Sequence, residues 1–116
     1  MLSIYNTYLE DYKTLKLQVE GEVDASSSIQ LDEALQAAML EHENIIVDLE
    51  RLDYISSAGL GVFMSMIQLV ESENKKFVIY GLQQTVLEVF QILGLDQLMT
   101  FKQAKAEALK LIHENA

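Results

Sequence analysis

Hydrophobic residues follow two patterns along the chain that are typical of β-strands. Leu15, Leu17 and Val19 alternate with polar residues, which is the two-residue period of a strand with one buried face. Residues 45–47 form a continuous run of β-branched side chains, as expected for a central strand that is covered on both faces. The predicted strands are residues 4–8, 14–20, 44–49, 76–80 and a last short one at 98–101.

Helices are predicted where apolar residues recur every three or four positions between residues that begin or end helices. The pairs Ser27–Gln30 and Thr85–Glu88 have the spacing of capping boxes, and each predicts a helix start. Gly94 is a suitable helix stop. The four predicted helices run from Ser27 to about His42, from Ser56 or Ser57 onward, from Thr85 to about Gly94, and over residues 104–113.

The predicted elements alternate after an opening pair of strands. Strands that are separated by helices pair in parallel through right-handed crossovers, whereas the first two strands, joined by a short turn, form an antiparallel hairpin. We therefore predict an α/β fold with a mixed sheet of four or five strands and about four helices, mainly on one face. Gly21 ends the pattern of the second strand. No linker or repeat interrupts the chain, so residues 1–116 are predicted to form a single domain.

The charge of the chain narrows its choice of partners. Eighteen acidic residues face eight basic ones, which gives a formal net charge of -10. Nucleic acids bind to clusters of basic residues, and the local basic feature here is Lys75-Lys76, so we expect no nucleic-acid partner. The acid excess opposes adsorption to anionic membranes, and the apolar stretch at residues 59–70 is about half of a membrane span, so no membrane insertion is expected. The simplest explanation of such a charge is that it keeps the chain soluble, and the alternative is that it attracts a basic partner protein.

Missing residue types exclude several kinds of site. The chain has no cysteine, which removes disulfides, thiolate catalysis and cysteine-based zinc sites. Two histidines, His42 and His113, are too few for a histidine-rich metal site, so we expect neither a metal nor a cofactor. Residues 1–10 lack the basic region and apolar core of a signal peptide, and we expect a cytoplasmic location.

Two serines and two glycines follow the third predicted strand and begin the second predicted helix. Ser56 or Ser57 can cap the helix, because a serine side chain accepts a hydrogen bond from an unpaired N–H group. Gly59 and Gly61 each cost about 1 kcal/mol relative to alanine inside a helix. Either the helix packs closely on a strand, or another molecule approaches its backbone. The helix N-terminus would also favour a phosphate on one of the serines.

The same segment matches no nucleotide-binding or hydrolase motif. No Gly-Lys-Ser/Thr follows it, as a phosphate-binding loop requires, and Ile55 stands where a nucleophile elbow around Ser57 needs glycine. A catalytic triad would need His42 or His113, which lie near the end of the first helix and near the end of the sequence. We therefore predict no catalytic residue and no enzymatic activity.

With these residues in view, the chain resembles the bacterial STAS-domain anti-sigma factor antagonists. The resemblance extends almost end to end, and the ordered set of motifs is more specific than the serine motif alone. The motifs are the early hairpin, Gly21-Glu22-Val23-Asp24, Ile45-Ile46-Val47-Asp48-Leu49, Ser56-Ser57-Ala58-Gly59-Leu60-Gly61, Phe77-Val78-Ile79-Tyr80-Gly81-Leu82 and Ile92-Leu93-Gly94-Leu95.

This resemblance implies a phosphorylation switch. In such proteins the unphosphorylated form binds a partner that is both anti-sigma factor and serine kinase, and the sigma factor is released. The kinase then phosphorylates a serine at the start of the second helix, and a metal-dependent serine phosphatase resets the switch. Alignment of Gly59-Leu60-Gly61 with the family pattern places the modified serine at Ser57, with Ser56 as the alternative.

The implied partner surface surrounds the modified serine. Asp24 matches an acidic position near that serine, although an aspartate before a helix also serves as an ordinary cap. Of Met64 and Met66 on the second helix, we expect one in the core and the other on a soft binding surface. The candidate partner-binding residues are Asp24, Ser56, Ser57, Ala58, Gly59, Gly61 and Met64.

Two other functions fit the same resemblance. The chain could be a STAS accessory subunit of a lipid-transport ABC complex, or a scaffold component of a stress-sensing assembly. The serine motif and the loop at residues 21–24 favour the anti-sigma factor antagonist.

Overall fold

Within the part of the chain that the structure describes, one mixed sheet of six strands organises the molecule. The computed structural model describes residues 1–114. The strands are β1 (Leu2–Leu9), β2 (Thr14–Val23), β3 (Asn44–Asp48), β4 (Leu52–Ile55), β5 (Lys76–Tyr80) and β6 (Thr100–Lys102). The helices are α1 (Ser28–Glu41), α2 (Ser57–Ser72), α3 (Gln84–Ile92) and α4 (Lys105–Glu114), with short 3-10 turns at Glu10–Tyr12 and Leu95–Gln97.

The strands lie in the order β1-β2-β3-β5-β6, and β4 pairs with the last residues of β2. β1 and β2 form the antiparallel hairpin, and all other pairs are parallel. The predicted fold class and the opening hairpin are therefore confirmed. Because β2 to β6 are parallel, their carboxyl ends meet at one edge of the sheet, which also receives the N-termini of the helices that follow them.

The sheet has a large core on one face and a small one on the other. Helices α1, α2 and α3 cover the large core, where the ring of Phe90 packs edge-on against Phe63 and Phe101 at centroid distances of 5.5 and 5.3 Å. Helix α4 covers the other face of β3 and β5, where Ile46 and Val78 contact Ile112. The prediction that the helices lie mainly on one face is confirmed.

The sequence analysis predicts five of the six strands and does not predict β4. Leu52 and Ile55 are buried, but two exposed residues separate them, so β4 lacks the two-residue period of a half-buried strand. Its pairing with β2 is also irregular, since Gly21 pairs with Leu52 while the next residue, Glu22, pairs with Tyr54. The prediction that β2 ends before Gly21 is wrong, because this glycine adopts a φ of +101° inside the strand.

Both predicted capping boxes are wrong. Helix α1 begins one residue after Ser27, whose side chain makes no cap bond within the helix. Helix α3 begins at Gln84, one residue before Thr85, and its N-cap, Gln83, makes no side-chain cap bond either. Gly94 ends α3 as predicted, because it follows the C-cap residue with a φ of +73°.

A buried tyrosine–carboxylate pair joins the two central strands. Tyr80 and Asp48 are register partners on β5 and β3, and both side chains are buried. Burial and the hydrogen bond to Asp48 raise the pKa of Tyr80, so the neutral phenol is the favoured form in the folded chain. Asp48 also accepts a hydrogen bond from the backbone N–H of Glu50 at 2.9 Å.

Replacement of Tyr80 by phenylalanine should lower the free energy of unfolding by about 1.5–3 kcal/mol, because a hydrogen bond to a carboxylate is lost. The raised pKa adds a pH dependence. The stabilisation is complete below the ordinary tyrosine pKa of about 10 and is lost as the pH rises above it. Urea unfolding at pH 7.5 and pH 10.5 should show a larger alkaline loss for the parent chain than for Tyr80→Phe. Tyr5→Phe, at an exposed tyrosine, is the control, and an equal alkaline loss in both variants would contradict this account.

Candidate functional site

The serine loop, residues 55–61, joins β4 to α2 at the carboxyl edge of the sheet. The backbone N–H of Ser56 donates to the carbonyl of Val23 at 2.8 Å, which extends the pairing of β4 with β2. The side chain of Ser56 accepts a hydrogen bond from the N–H of Gly59 at 3.2 Å. Ser56 is therefore the helix cap, and its half-buried hydroxyl is already engaged.

Ser57 differs from its neighbour in both position and exposure. It is the first residue of α2 and is exposed, as is Ala58 after it. The first N–H groups of a helix have no partner within the helix, and they carry a partial positive charge. An anionic group on Ser57 would therefore lie in a favourable field.

The two glycines of the serine loop have different surroundings. A Cβ atom at Gly59 would lie 2.7 Å from side-chain carbons of both Ile55 and Val23, so the helix packs directly on the strands there. A Cβ atom at Gly61 would meet nothing within 4 Å. Close packing thus accounts for Gly59, whereas Gly61 faces open space and is free for the approach of another molecule.

Asp24 begins the neighbouring loop. Its preceding residue, Val23, is the register partner of Ile55, so Asp24 and Ser56 leave adjacent strands side by side. The carboxylate accepts hydrogen bonds from the backbone N–H of Ser27 at 2.8 Å, and from the hydroxyls of Ser27 and Ser26 at 2.9 and 3.0 Å. These bonds lower the pKa of the exposed Asp24 to about 2, with the Ser27 N–H as the largest cause.

The hydrogen bonds of Asp24 also correct the capping prediction for α1. The side chain of Ser27 accepts from the N–H of Asp24 at 2.9 Å, while Asp24 accepts from the N–H of Ser27. Asp24 and Ser27 therefore form the reciprocal pair that was predicted for Ser27 and Gln30. Asp24 therefore fixes the turn before α1, and it is an ionised, exposed group beside the serine loop.

The exposed face of α2 continues the serine loop as an uncharged surface. Met66 is buried in the core, as expected for one of the two methionines, and Met64 is 50% exposed. Helix α2 contains a single charged residue, Glu71, near its far end. Ser57, Ala58, Gly61 and Met64 are all exposed on this helix, and we call them the α2 surface. A neutral surface of this kind is unusual in a chain of net charge -10.

The histidines lie apart from the serine loop. His42 ends α1, where its ring lies 5.5 Å from that of Tyr8, and His113 is exposed in the last turn of α4. Within residues 1–114, no three His, Asp or Glu side chains group as metal ligands. In the same part of the chain, no helix has the length and apolar character needed to cross a membrane.

Sequence reasoning missed Gln83, the residue that ties the start of α3 to β4 and to Glu50, which precedes β4. The side-chain amide of Gln83 donates to the carboxylate of Asp53 on β4 at 3.1 Å and to the carbonyl of Glu50 at 3.2 Å. Both partners lie about thirty positions away in sequence, and β4 itself was not predicted, so no local pattern marked this contact.

Comparison with known proteins finds STAS-domain similarity along most of the chain. The family model described as "Mlab, STAS domain" matches residues 7–100. The chain is 31% identical to the anti-sigma-B factor antagonist of Staphylococcus aureus over 88 residues, which cover 75% of this chain and 82% of that one. Identity to the anti-sigma-B factor antagonist of Listeria monocytogenes is 28% over 98 residues, which cover 84% and 86%.

Solved structures agree in fold. The unphosphorylated anti-sigma factor antagonist SpoIIAA has a TM-score of 0.76 at 22% identity, with 98% of this chain and 97% of that chain covered. The phosphorylated form of SpoIIAA, a cell fate determinant of Bacillus, has a TM-score of 0.71 at 21% identity, with 95% and 99% covered. Together with the family match and the curated relatives, this fold shows that the chain belongs to the STAS-domain family of anti-sigma factor antagonists.

Proposed function

We propose that this chain is a phosphorylation-controlled antagonist of an anti-sigma factor that is also a serine kinase. The unphosphorylated chain binds that partner and frees the sigma factor. Phosphorylation of Ser57 ends the binding, and a metal-dependent serine phosphatase restores it. The chain acts in the cytoplasm, where sigma factors act, and has no catalytic activity of its own.

The observation that carries this proposal is the exposure of Ser57 at one end of the α2 surface. A kinase must reach the hydroxyl, and a binding partner must cover it, so the residue has to be accessible in the free chain. Gly61 supports the second requirement, because its missing side chain serves no packing purpose inside the molecule. Interface cores are depleted of charged residues, as this surface is.

Ser57 is the better acceptor of phosphate because Ser56 is occupied as the cap. A phosphate on Ser56 would crowd the half-buried Oγ atom that accepts from the Gly59 N–H. A phosphate on Ser57 stays in solvent beside the first N–H groups of α2. Its charge of about -1.5 to -2 gains about 0.3–1 kcal/mol there, so the free fold tolerates it.

The same phosphate that the free chain tolerates should weaken the complex with the partner. A partner that closes over Ser57 must remove water from the new charge, and without a new basic group this costs several kcal/mol. The result is a loss of affinity of about a hundredfold or more. The switch thus acts on the complex rather than on the stability of the chain.

Titration calorimetry against the cognate anti-sigma kinase tests this switch. Ser57→Ala should bind like the parent chain and resist inactivation by kinase and ATP. Phosphorylated chain should bind about a hundredfold more weakly, and Ser57→Asp should also bind weakly, because one negative charge imitates phosphate in part. Thermal melts of all three forms should stay close to that of the parent.

Ser56→Ala is the matched control. It should lose about 1 kcal/mol of stability with the cap, yet still accept phosphate and still be inactivated by it. Equal affinity of all forms, or phosphate mapped to residue 56, would contradict the proposed switch. Capture of a transporter ATPase instead of a kinase would support the accessory-subunit alternative.

A second prediction separates the two glycines. Gly61→Ala should stabilise the free chain by up to about 1 kcal/mol, because alanine favours the helix and the added methyl meets no atom. The same methyl should weaken binding of the anti-sigma kinase at least tenfold, since the partner approaches that backbone. Gly59→Ala should destabilise the chain by about 1–3 kcal/mol through overpacking against Ile55 and Val23. Unfolding curves and calorimetry measure both effects, and undiminished binding by Gly61→Ala would place the interface elsewhere.

A further inference from the structure

A second site lies at the carboxyl edge of the sheet, in a cleft between α3 and α4. Its volume is about 730 Å³, within the range of small-ligand sites. The cleft forms where the chain leaves the sheet in two directions. After β5 it enters α3 on the face of the large core, and after β6 it enters α4 on the opposite face. Crevices at such divergence points are where open α/β sheets bind ligands.

Among the charged residues that line the cleft, acidic ones predominate. Glu50, Asp96 and Glu107 contribute three carboxylates, and Lys102 is the cation among the lining residues. A backbone hydrogen bond holds Glu107 in place, since its carboxylate accepts from the N–H of Ala104 at 3.2 Å. The cleft therefore carries a net charge of about -2, which opposes phosphates and favours cations.

A glycine provides the space for one of these carboxylates. Gly81 has a φ of +78°, and a Cβ atom there would lie 2.3 Å from Cγ of Glu50. Any side chain at residue 81 would displace Glu50 from the wall. Apolar side chains of Leu82, Leu87 and Phe101 also line the cleft, so carboxylates and hydrocarbon surface are combined.

We propose that this cleft binds an organic cation that has an ammonium or guanidinium head and an aliphatic stem. Carboxylates form charge-assisted hydrogen bonds with such heads, and guanidinium pairs with them in two-point geometry. The stem packs on the apolar residues, as lysine and arginine stems do on protein surfaces. Two sources offer this chemistry, a free amine or guanidine and an Arg or Lys side chain of a partner. The cleft contains no residue of the serine loop, so a test of cation binding there is independent of a test of the phosphorylation switch.

An NMR titration with matched probes tests the proposal on the full chain labelled with ¹⁵N. n-Butylguanidinium is the cation, and n-butylurea is its neutral isostere. The cation should shift amide signals around residues 81–84 and 101–103, and the urea should bind at least about tenfold more weakly, because it lacks the charge-assisted bonds. Acetyl-Ala-Arg-Ala-amide and its citrulline analogue form the second pair. If butylguanidinium binds, a free amine or guanidine is enough to occupy the cleft. If only the arginine peptide binds, the cation is supplied by a side chain of a partner protein.

Charge-neutral variants locate the binding. The double variant Asp96→Asn, Glu107→Gln should lose at least about tenfold in affinity for the cation. Glutamine at residue 107 keeps an oxygen for the Ala104 N–H, so the start of α4 is preserved. The control Glu41→Gln, Glu73→Gln removes the same charge from exposed positions outside the cleft and should bind normally. The proposal would be overturned if the cation and the urea bind equally, or if neither cationic probe binds. It would also be overturned if both double variants lose the same affinity, or if the shifts spread over the whole surface.

Discussion

The contact between the start of α2 and the ends of β2 and β4 is the constraint on which the rest of the site depends. Val23 and Ile55 are register partners, and Gly59 lies so close to both that even a methyl group would clash at 2.7 Å. The hydrogen bond from Ser56 N–H to the Val23 carbonyl fixes the same junction through the backbone. Because the interior is close-packed, this junction leaves α2 a single way to begin.

That junction separates the roles of two adjacent serines. With Gly59 pressed against the sheet, its N–H points to Ser56, whose side chain is used as the cap. Ser57 then falls on the outer side of the first turn, where it is exposed. The same strand pairing brings Asp24 beside the loop, where its hydrogen bonds to Ser26 and Ser27 keep it ionised. Packing inside the molecule therefore produces the asymmetry that a phosphorylation switch requires.

The elements that could be predicted are those whose signal is local. The alternation in β2 and the apolar run of β3 depend on burial of each strand, and Gly94 marks the end of α3 through its own backbone conformation. β4 was missed because its pairing with β2 depends on a register shift rather than on its own pattern. The capping partners of α1 were misassigned because Ser27 can bond in either direction along the chain, and the turn at Asp24 decides which bond forms. Gly59 and Gly61 are indistinguishable in sequence, since their difference lies in atoms from other segments.

The net charge of -10 also decides whether a phosphate on Ser57 would act on a partner at long range or locally. At physiological ionic strength the Debye length is about 8 Å, so carboxylates elsewhere on the surface are largely screened from a partner at the serine loop. One more phosphate changes the total charge by at most about a fifth, and its long-range effect is correspondingly small. The local effect of a phosphate would be larger, because the α2 surface carries no charge of its own and Asp24 is the ionised group beside it. The first turns of α2 contain no charged residue, so a phosphate on Ser57 would be the charge on an otherwise neutral α2 surface.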